Sequence, residues 1–287
     1  MTAAPHPPAT GAPPLDLARY GARIAFAGPL DTSLASLRAL QAAHIAAIPF
    51  EAMDVWLGEG VSLAPAAIED KLLRRGRGGY CYEQNGLFQR ALAQLGFTVE
   101  PRIARVLWGG EGDSAFQPRT HMALRVEAEG QPWLVDVGFG AAVPTQPLAW
   151  HSEAVQDTAL GRYRLVPTGF GRQLQIESSG RWRALYEVFD EPPQPQDFEV
   201  SNWFTSTHPD SVFRRHLIAA RATPAGRTTL LDAELTFRSP DGAVRRQSLN
   251  AAQLESALQD QFQLTVEPAW RARLAALAAV AAQSGDR

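Results

Sequence analysis

Three side chains in this sequence have the chemistry to break and remake an acyl bond together: Cys81, His121 and Asp136, met in that order along the chain. A thiol becomes a strong nucleophile once ionised, an imidazole takes and returns its proton, and a carboxylate holds the imidazole in one tautomer. Such an arrangement is recognised by geometry and not by chain order. Cys81 is the only cysteine among 287 residues, so it has no partner for an internal disulfide. It follows Arg77-Gly78-Gly79-Tyr80 and precedes Tyr82-Glu83-Gln84-Asn85. Apolar residues at 88, 91, 92 and 95, closed by Gly96, have helical spacing with a glycine stop, which predicts a helix beginning at Cys81. At a helix start the unpaired N–H groups and the dipole favour thiolate over thiol. A lone cysteine is often just a small core residue. Its neighbours argue otherwise: the paired glycines leave room for a ligand beside the backbone, and the apolar stripe starts several residues on, so the thiol is expected outside the packed face.

The base and the acid are placed by a hairpin. In His121-Met122-Ala123-Leu124-Arg125-Val126 the apolar residues 122, 124 and 126 alternate with the others, and in Trp133-Leu134-Val135-Asp136-Val137 the larger apolar face is 133, 135 and 137. Glu129-Gly130-Gln131 reads as the turn. Matching the apolar faces leaves two registers, with Leu124 opposite Trp133 or opposite Val135. Either puts His121 and Asp136 on the same opposite face, as direct or diagonal neighbours roughly 5–8 Å apart between backbones. The other five histidines lack a carboxylate placed by comparable logic.

The surrounding elements follow from period and punctuation. From Asp16 to about Leu95 the pattern is helical, with Asp16 and Asp31 as candidate caps, Pro65 as a first helical residue and Ile48 to Trp56 as an aperiodic loop. Further strands are expected at 163–166, 174–176 and 182–186, giving an antiparallel sheet or small barrel. The proline-rich run 191–196 reads as a connector and boundary. After it come a short helix about 211–221, a hairpin around Ser239-Pro240-Asp241-Gly242, a helix opened by Asn250 with Gln253 in the capping-box position, and an Ala/Leu-rich helix after Pro268.

Composition excludes several classes. A net charge of −3 gives no support to a nucleic-acid or membrane-surface partner. No apolar run approaches the roughly 20 residues needed to cross a bilayer. Lys71 is the only lysine, which reads as compositional habit and not as a site. Met1 to about Pro14 has neither a basic nor an apolar signal region and is expected to be a disordered leader. With one free cysteine, a reducing cytoplasm is the expected location.

Arg77-Gly78-Gly79-Tyr80-Cys81-Tyr82-Glu83-Gln84-Asn85, Arg119-Thr120-His121-Met122 and Val135-Asp136-Val137-Gly138-Phe139-Gly140 together resemble the arylamine N-acetyltransferase family. Pro49-Phe50-Glu51 and the run from Asn202 to Phe213 resemble family segments too, so the likeness spans about 15–270. It implies an α+β, multi-domain chain with a cysteine-protease-like core: a helical bundle (15–96), an antiparallel β-barrel (97–198) and an α/β lid (199–287). It also implies a Cys81-His121-Asp136 triad. Gly138-Phe139-Gly140 would lie beside the acyl-CoA and amine pocket, Phe50 and Tyr80 would join Phe139 in its lining, and Phe204 with Ser206-Thr207 would lie near the CoA channel. Ala52, Gly76 and Tyr82 depart from the usual family residues. The implied reaction is ping-pong transfer from acetyl-CoA, a co-substrate and not a bound cofactor, to an arylamine, arylhydrazine or N-hydroxyarylamine, as in xenobiotic metabolism, with no metal. On chemistry alone, a Cys-His-Asp hydrolase or transglutaminase-like enzyme would use the same triad, and a binding module that has lost activity is a further alternative.

Overall fold

The computed structural model describes residues 13–109 and 117–285, so residues 1–12 of the expected leader lie outside the described residues. Helix α1 (Leu17–Arg23) is capped by Asp16, whose side chain accepts the Arg19 N–H. In α2 (Leu34–Ala47) the cap is Ser33 and not Asp31. The Asp31 carboxylate instead accepts from the hydroxyls of Ser33 and Ser36, bracing the cap from outside. The stretch expected as a loop holds a two-residue strand, β1 (Phe50–Glu51), and a short helix, α3 (Met53–Leu57). Neither is long enough to display a period.

Helix α4 (Pro65–Glu69) starts on its proline and runs into a π-helical turn, Asp70–Arg74, in which Lys71, Leu72 and Leu73 are buried in succession. Gly76, at φ +67°, then turns the chain into the glycine pair. A Cβ on Gly78 would lie 2.2 Å from the Pro49 carbonyl oxygen, and one on Gly79 2.7 Å from the Glu83 carboxylate. The room these glycines leave is therefore filled by the protein's own chain and not by a ligand. Helix α5 (Cys81–Gln94) begins where predicted, with the Glu83 carboxylate accepting the Tyr80 N–H at 3.0 Å. Leu87, Phe88 and Leu92 are fully buried, each contributing about 1.5–3 kcal/mol. The first turn is buried as well, and Cys81 itself is only 4% exposed, against the expectation of a thiol outside the packed face. The buried residues of that turn mix Cys81 and Tyr82 of the hydrophobic core with Glu83, Gln84 and Asn85, and so leave no apolar stripe to read.

Eight antiparallel strands form a nearly closed barrel: β2 (Thr98–Val106), β3 (His121–Ala128), β4 (Gln131–Val135), β5 (Leu148–Ala149), β6 (Gln156–Thr158), β7 (Gly161–Pro167), β8 (Gly171–Ser178) and β9 (Arg181–Phe189). Their order is β5-β4-β3-β2-β9-β8-β7-β6. The β3–β4 hairpin takes the register with Leu124 opposite Val135, and both turn residues, Glu129 and Gly130, have positive φ, as a two-residue hairpin turn requires. Strand β2 has no forerunner in the sequence reading, because Pro101, Arg102 and Arg105 break its apolar alternation. It is nonetheless the bridge of the barrel, with Ala104 paired to His121 on one side and to Val188 on the other.

The proline-rich run is less a connector than the start of a helix, α6 (Pro195–Thr207), with proline at its first turn and Asp197 accepting the Gln194 N–H at 2.7 Å. The helix expected at 211–221 shrinks to α7 (Val212–Arg215) and gives way to β10 (Ile218–Thr223). With β11 (Gly226–Leu231), β12 (Glu234–Arg238) and β13 (Val244–Ser248) it forms a second antiparallel sheet whose far edge is β1, with Phe50 opposite Ala220. The hairpin between β12 and β13 falls where predicted. Helix α8 (Ala251–Asp260) opens with the reciprocal Asn250–Gln253 cap, and α9 (Pro268–Gly285) follows.

Candidate active site

Helix α5 carries the thiol, the first residue of β3 carries the imidazole, and the residue after β4 carries the carboxylate. His121 Nε2 and Asp136 Oδ2 are 2.7 Å apart, which leaves Nδ1 as the ring nitrogen not used by the carboxylate, and Cys81 is close enough to contribute to the His121 pKa. Cys81 Sγ lies 3.8 Å from the Thr120 carbonyl oxygen. The other carboxylate oxygen, Oδ1, accepts the Gly138 N–H at 2.8 Å and an Asn85 side-chain N–H at 3.0 Å. Burial alone would lower the His121 pKa. The charge and hydrogen bond of Asp136, with the contact to Cys81, outweigh burial and raise it to about 10. The geometry thus favours a protonated imidazole beside the thiol at neutral pH, the condition under which a thiolate is stabilised.

Of the remaining sequence candidates, Gly138 and Phe139 meet the triad directly. A Cβ on Gly138 would fall 2.6 Å from Cys81 Cα, so only glycine lets the loop after β4 lie against the start of α5. The Phe139 ring stands edge-on to His121 at 5.1 Å between centroids. Gly140, at φ +73°, packs over the Phe50 ring, and Phe50 belongs to the core shared by the helices and both sheets. Tyr80 is fully buried, and its hydroxyl donates to Asn202 on α6. The Phe204 ring stacks on His208 at 4.5 Å, while the buried face of α6 is formed by Phe198, Ser201, Asn202, Thr205 and Ser206. Sequence reasoning missed Tyr186, whose ring lies 4.8 Å from His121, and Gln41, whose amide donates to the Asp136 carbonyl at 3.2 Å. It also gave Asn85 no role, although one helical turn from Cys81 is the spacing that places a residue on the same face. Among the described residues no group of three His, Cys, Asp or Glu could hold a metal ion, and no helix is long and apolar enough to cross a membrane.

A family profile described as N-acetyltransferase matches residues 33–271. The chain is 39% identical over 255 residues to an arylamine N-acetyltransferase of Escherichia coli (strain K12), covering 88% of this chain and 90% of that one. It is 40% identical over 256 residues to an arylamine N-acetyltransferase of Mycobacterium tuberculosis (strain ATCC 25618 / H37Rv), with the same coverage. The chain belongs to the arylamine N-acetyltransferase family. The structure of Mycobacterium marinum arylamine N-acetyltransferase in complex with CoA superposes on it with a TM-score of 0.87 at 40% identity, over 91% of this chain and 98% of that one. The fold is that of solved arylamine N-acetyltransferases, with helices at both ends of the chain and the antiparallel barrel between.

In this acetyltransferase the start of the nucleophile's helix rests on buried charge. Lys71 Nζ contacts Asp54 Oδ2 at 2.6 Å and Glu83 Oε1 at 2.7 Å, and Arg77 contacts Glu51 at 2.9 Å and Asp54 at 2.7 Å. The chain's one lysine is thus a specific part of the site's foundation and not a compositional remainder. Beside it runs a neutral network. Gln84 Nε2 donates to the Pro49 carbonyl at 2.9 Å, so Gln84 Oε1 faces His44 Nε2–H at 2.8 Å, and the Tyr20 hydroxyl donates to His44 Nδ1 at 2.9 Å. Burial, partly opposed by the bond to Gln84, lowers the His44 pKa to about 4.

Proposed function

We propose that this acetyltransferase carries acetyl groups from acetyl-CoA to arylamines, arylhydrazines or N-hydroxyarylamines through an acetyl-Cys81 intermediate. The observation that carries this reading is the 2.7 Å contact of His121 with Asp136, on a ring whose pKa the neighbouring Cys81 also helps to raise. The Cys81 thiolate attacks the thioester carbonyl, the bond to the CoA sulfur breaks, and CoA leaves with the proton from the His121 imidazolium. The neutral imidazole then takes a proton from the attacking amine as its nitrogen bonds to the acetyl carbon. The bond to Cys81 Sγ breaks, and the thiolate–imidazolium pair returns. Asp136 holds the ring in one tautomer and stabilises its charged form. Backbone N–H groups at the start of α5 are the candidate oxyanion donors. Gly138, Phe139 and Gly140, backed by Phe50 and Tyr80, form the candidate wall for an uncharged aromatic amine. Phe204 is kept as a candidate for the CoA side only.

The three-part division at 15–96, 97–198 and 199–287 is part of the same proposal, with the second boundary drawn back to precede α6. A thiol that must stay free for catalysis suits a reducing cytoplasm. Mixing the protein with acetyl-CoA alone should release one equivalent of CoA and add one acetyl mass at Cys81. Absence of both burst and adduct refutes the intermediate. A hydrolase or transglutaminase-like reading is not favoured, since the relatives that match most of the chain are acetyltransferases.

A further inference from the structure

We propose that Asn85 is a positioning residue of the triad: it locks the Asp136 carboxylate and both hairpin strands to the helix that carries Cys81. The inference rests on the triad assigned above. Asn85 is fully buried, and both polar atoms of its side-chain amide are hydrogen-bonded. Nδ2 donates to Asp136 Oδ1 at 3.0 Å and to the Met122 carbonyl at 2.8 Å, and Oδ1 accepts the Val137 N–H at 3.0 Å. Met122 adjoins the triad base and Val137 adjoins the triad acid. One side chain, a helical turn beyond the nucleophile, therefore fixes the strand ends that hold the other two groups.

The chemistry of the amide matters as much as its shape. Asp136 is 1% exposed, and a carboxylate at that depth keeps its charge only if its oxygens are supplied with donors. Oδ2 has His121, while Oδ1 has Asn85 and the Gly138 N–H. The titratable groups around the carboxylate are His121 on β3, Cys81 on α5, Tyr186 on β9 and Tyr163 on β7, and both tyrosines are neutral phenols whose ionisation burial opposes. Within that environment Asn85 donates to the carboxylate oxygen that His121 does not use, and the Tyr186 hydroxyl is a further neutral side-chain partner of the carboxylate. The Asn85 donation favours the anion, and the anion in turn keeps His121 charged beside the thiol.

Two variants of nearly the same size separate this role from simple packing. In Asn85→Leu the donor is lost without a large change in volume. A hydrogen bond to a charged group is worth roughly a ten- to hundredfold change in equilibrium, and Cys81 alkylation by iodoacetamide at pH 7 should slow by that order. Asn85→Asp sets a second carboxylate against Asp136. When protonated it donates again, and when ionised it repels both Asp136 and the Met122 carbonyl. Its alkylation rate, and its CoA burst from acetyl-CoA, should therefore stay near wild type at acid pH and fall as pH rises, adding a limb to the profile that wild type lacks. Circular dichroism and melting of both variants report folding separately. An Asn85→Asp profile parallel to wild type, in a folded protein, overturns the proposal even if Asn85→Leu does not fold. The CoA burst of wild type tests the acyl-enzyme reading independently of either variant.

Discussion

Replacing Asp136 by asparagine isolates what the carboxylate does to its histidine. The ring's pKa stands at about 10 against an ordinary 6.5, and at 1.36 kcal/mol per unit this difference corresponds to about 5 kcal/mol in favour of the charged ring. Asp136 supplies more than the net amount, because burial works against it. Without that charge, burial dominates and His121 is neutral at pH 7, so Cys81 loses the cation beside it. Loss of a charged partner is worth roughly tenfold or more in equilibrium, so alkylation of Asp136→Asn at pH 7 should fall by about that factor. The assay is the pseudo-first-order rate of iodoacetamide labelling from pH 5 to 10. Wild type should label faster than the variant through neutrality, and the gap should close as pH rises through the His121 pKa of about 10. Stability should move in the matching sense. A group whose folded pKa is raised contributes fully below its unfolded value, and that contribution is lost as pH rises from about 6.5 through about 10. Wild type should lose melting temperature across that window and Asp136→Asn should not. A variant that labels within about threefold of wild type at pH 7 would refute the assignment of Asp136.

His44 predicts the opposite slope. Its folded pKa, about 4, lies below the ordinary 6.5, so its contribution is complete above 6.5 and lost as pH falls toward 4, by about 3 kcal/mol. A urea titration series from pH 7 to 4 should show this loss in wild type and a smaller one in His44→Gln; equal slopes would contradict the buried neutral ring. Gly138→Ala forces a methyl to within 2.6 Å of Cys81 Cα, an overpacking that should cost about 1–3 kcal/mol and depress the CoA burst. Wild-type melting and burst together would show that the loop and helix are not held in contact.

Much of the site was legible because two strong rules converge there. The glycine stop at Gly96 and the spacing of Phe88, Ala91, Leu92 and Leu95 bound the cysteine helix. In the hairpin, the need to bury Met122, Leu124 and Val126 with Val135 left only two registers, both of which brought His121 toward Asp136. The structure selects the register with Leu124 opposite Val135, so His121 and Asp136 meet diagonally. What escaped had weak or misleading local signals. Strand β1 is two residues long, β2 is interrupted by Pro101 and two arginines, and α6 hides behind prolines that look like a linker. The roles of Asn85, Gln41 and Tyr186 arise only when distant elements meet, and no pattern within their own segments announces them. Phe204 was named through the family resemblance, and the face of α6 that turns inward carries Phe198 with hydroxyl and amide residues.

Strand β1 also bears on how the molecule is made. On one edge Phe50 pairs with Ala220; on the other the Glu51 N–H bonds to the Gly79 carbonyl at 3.1 Å, just ahead of the nucleophile. Arg221 reinforces the seam by donating to the Ala46 carbonyl at 2.7 Å, across 175 positions of chain. Closing so long a loop is entropically expensive and slow. A ribosome releases Cys81, His121 and Asp136 well before β10 exists to back the strand behind them. A nascent chain or fragment ending before β10 therefore contains every reactive group but lacks the strand that pairs with β1.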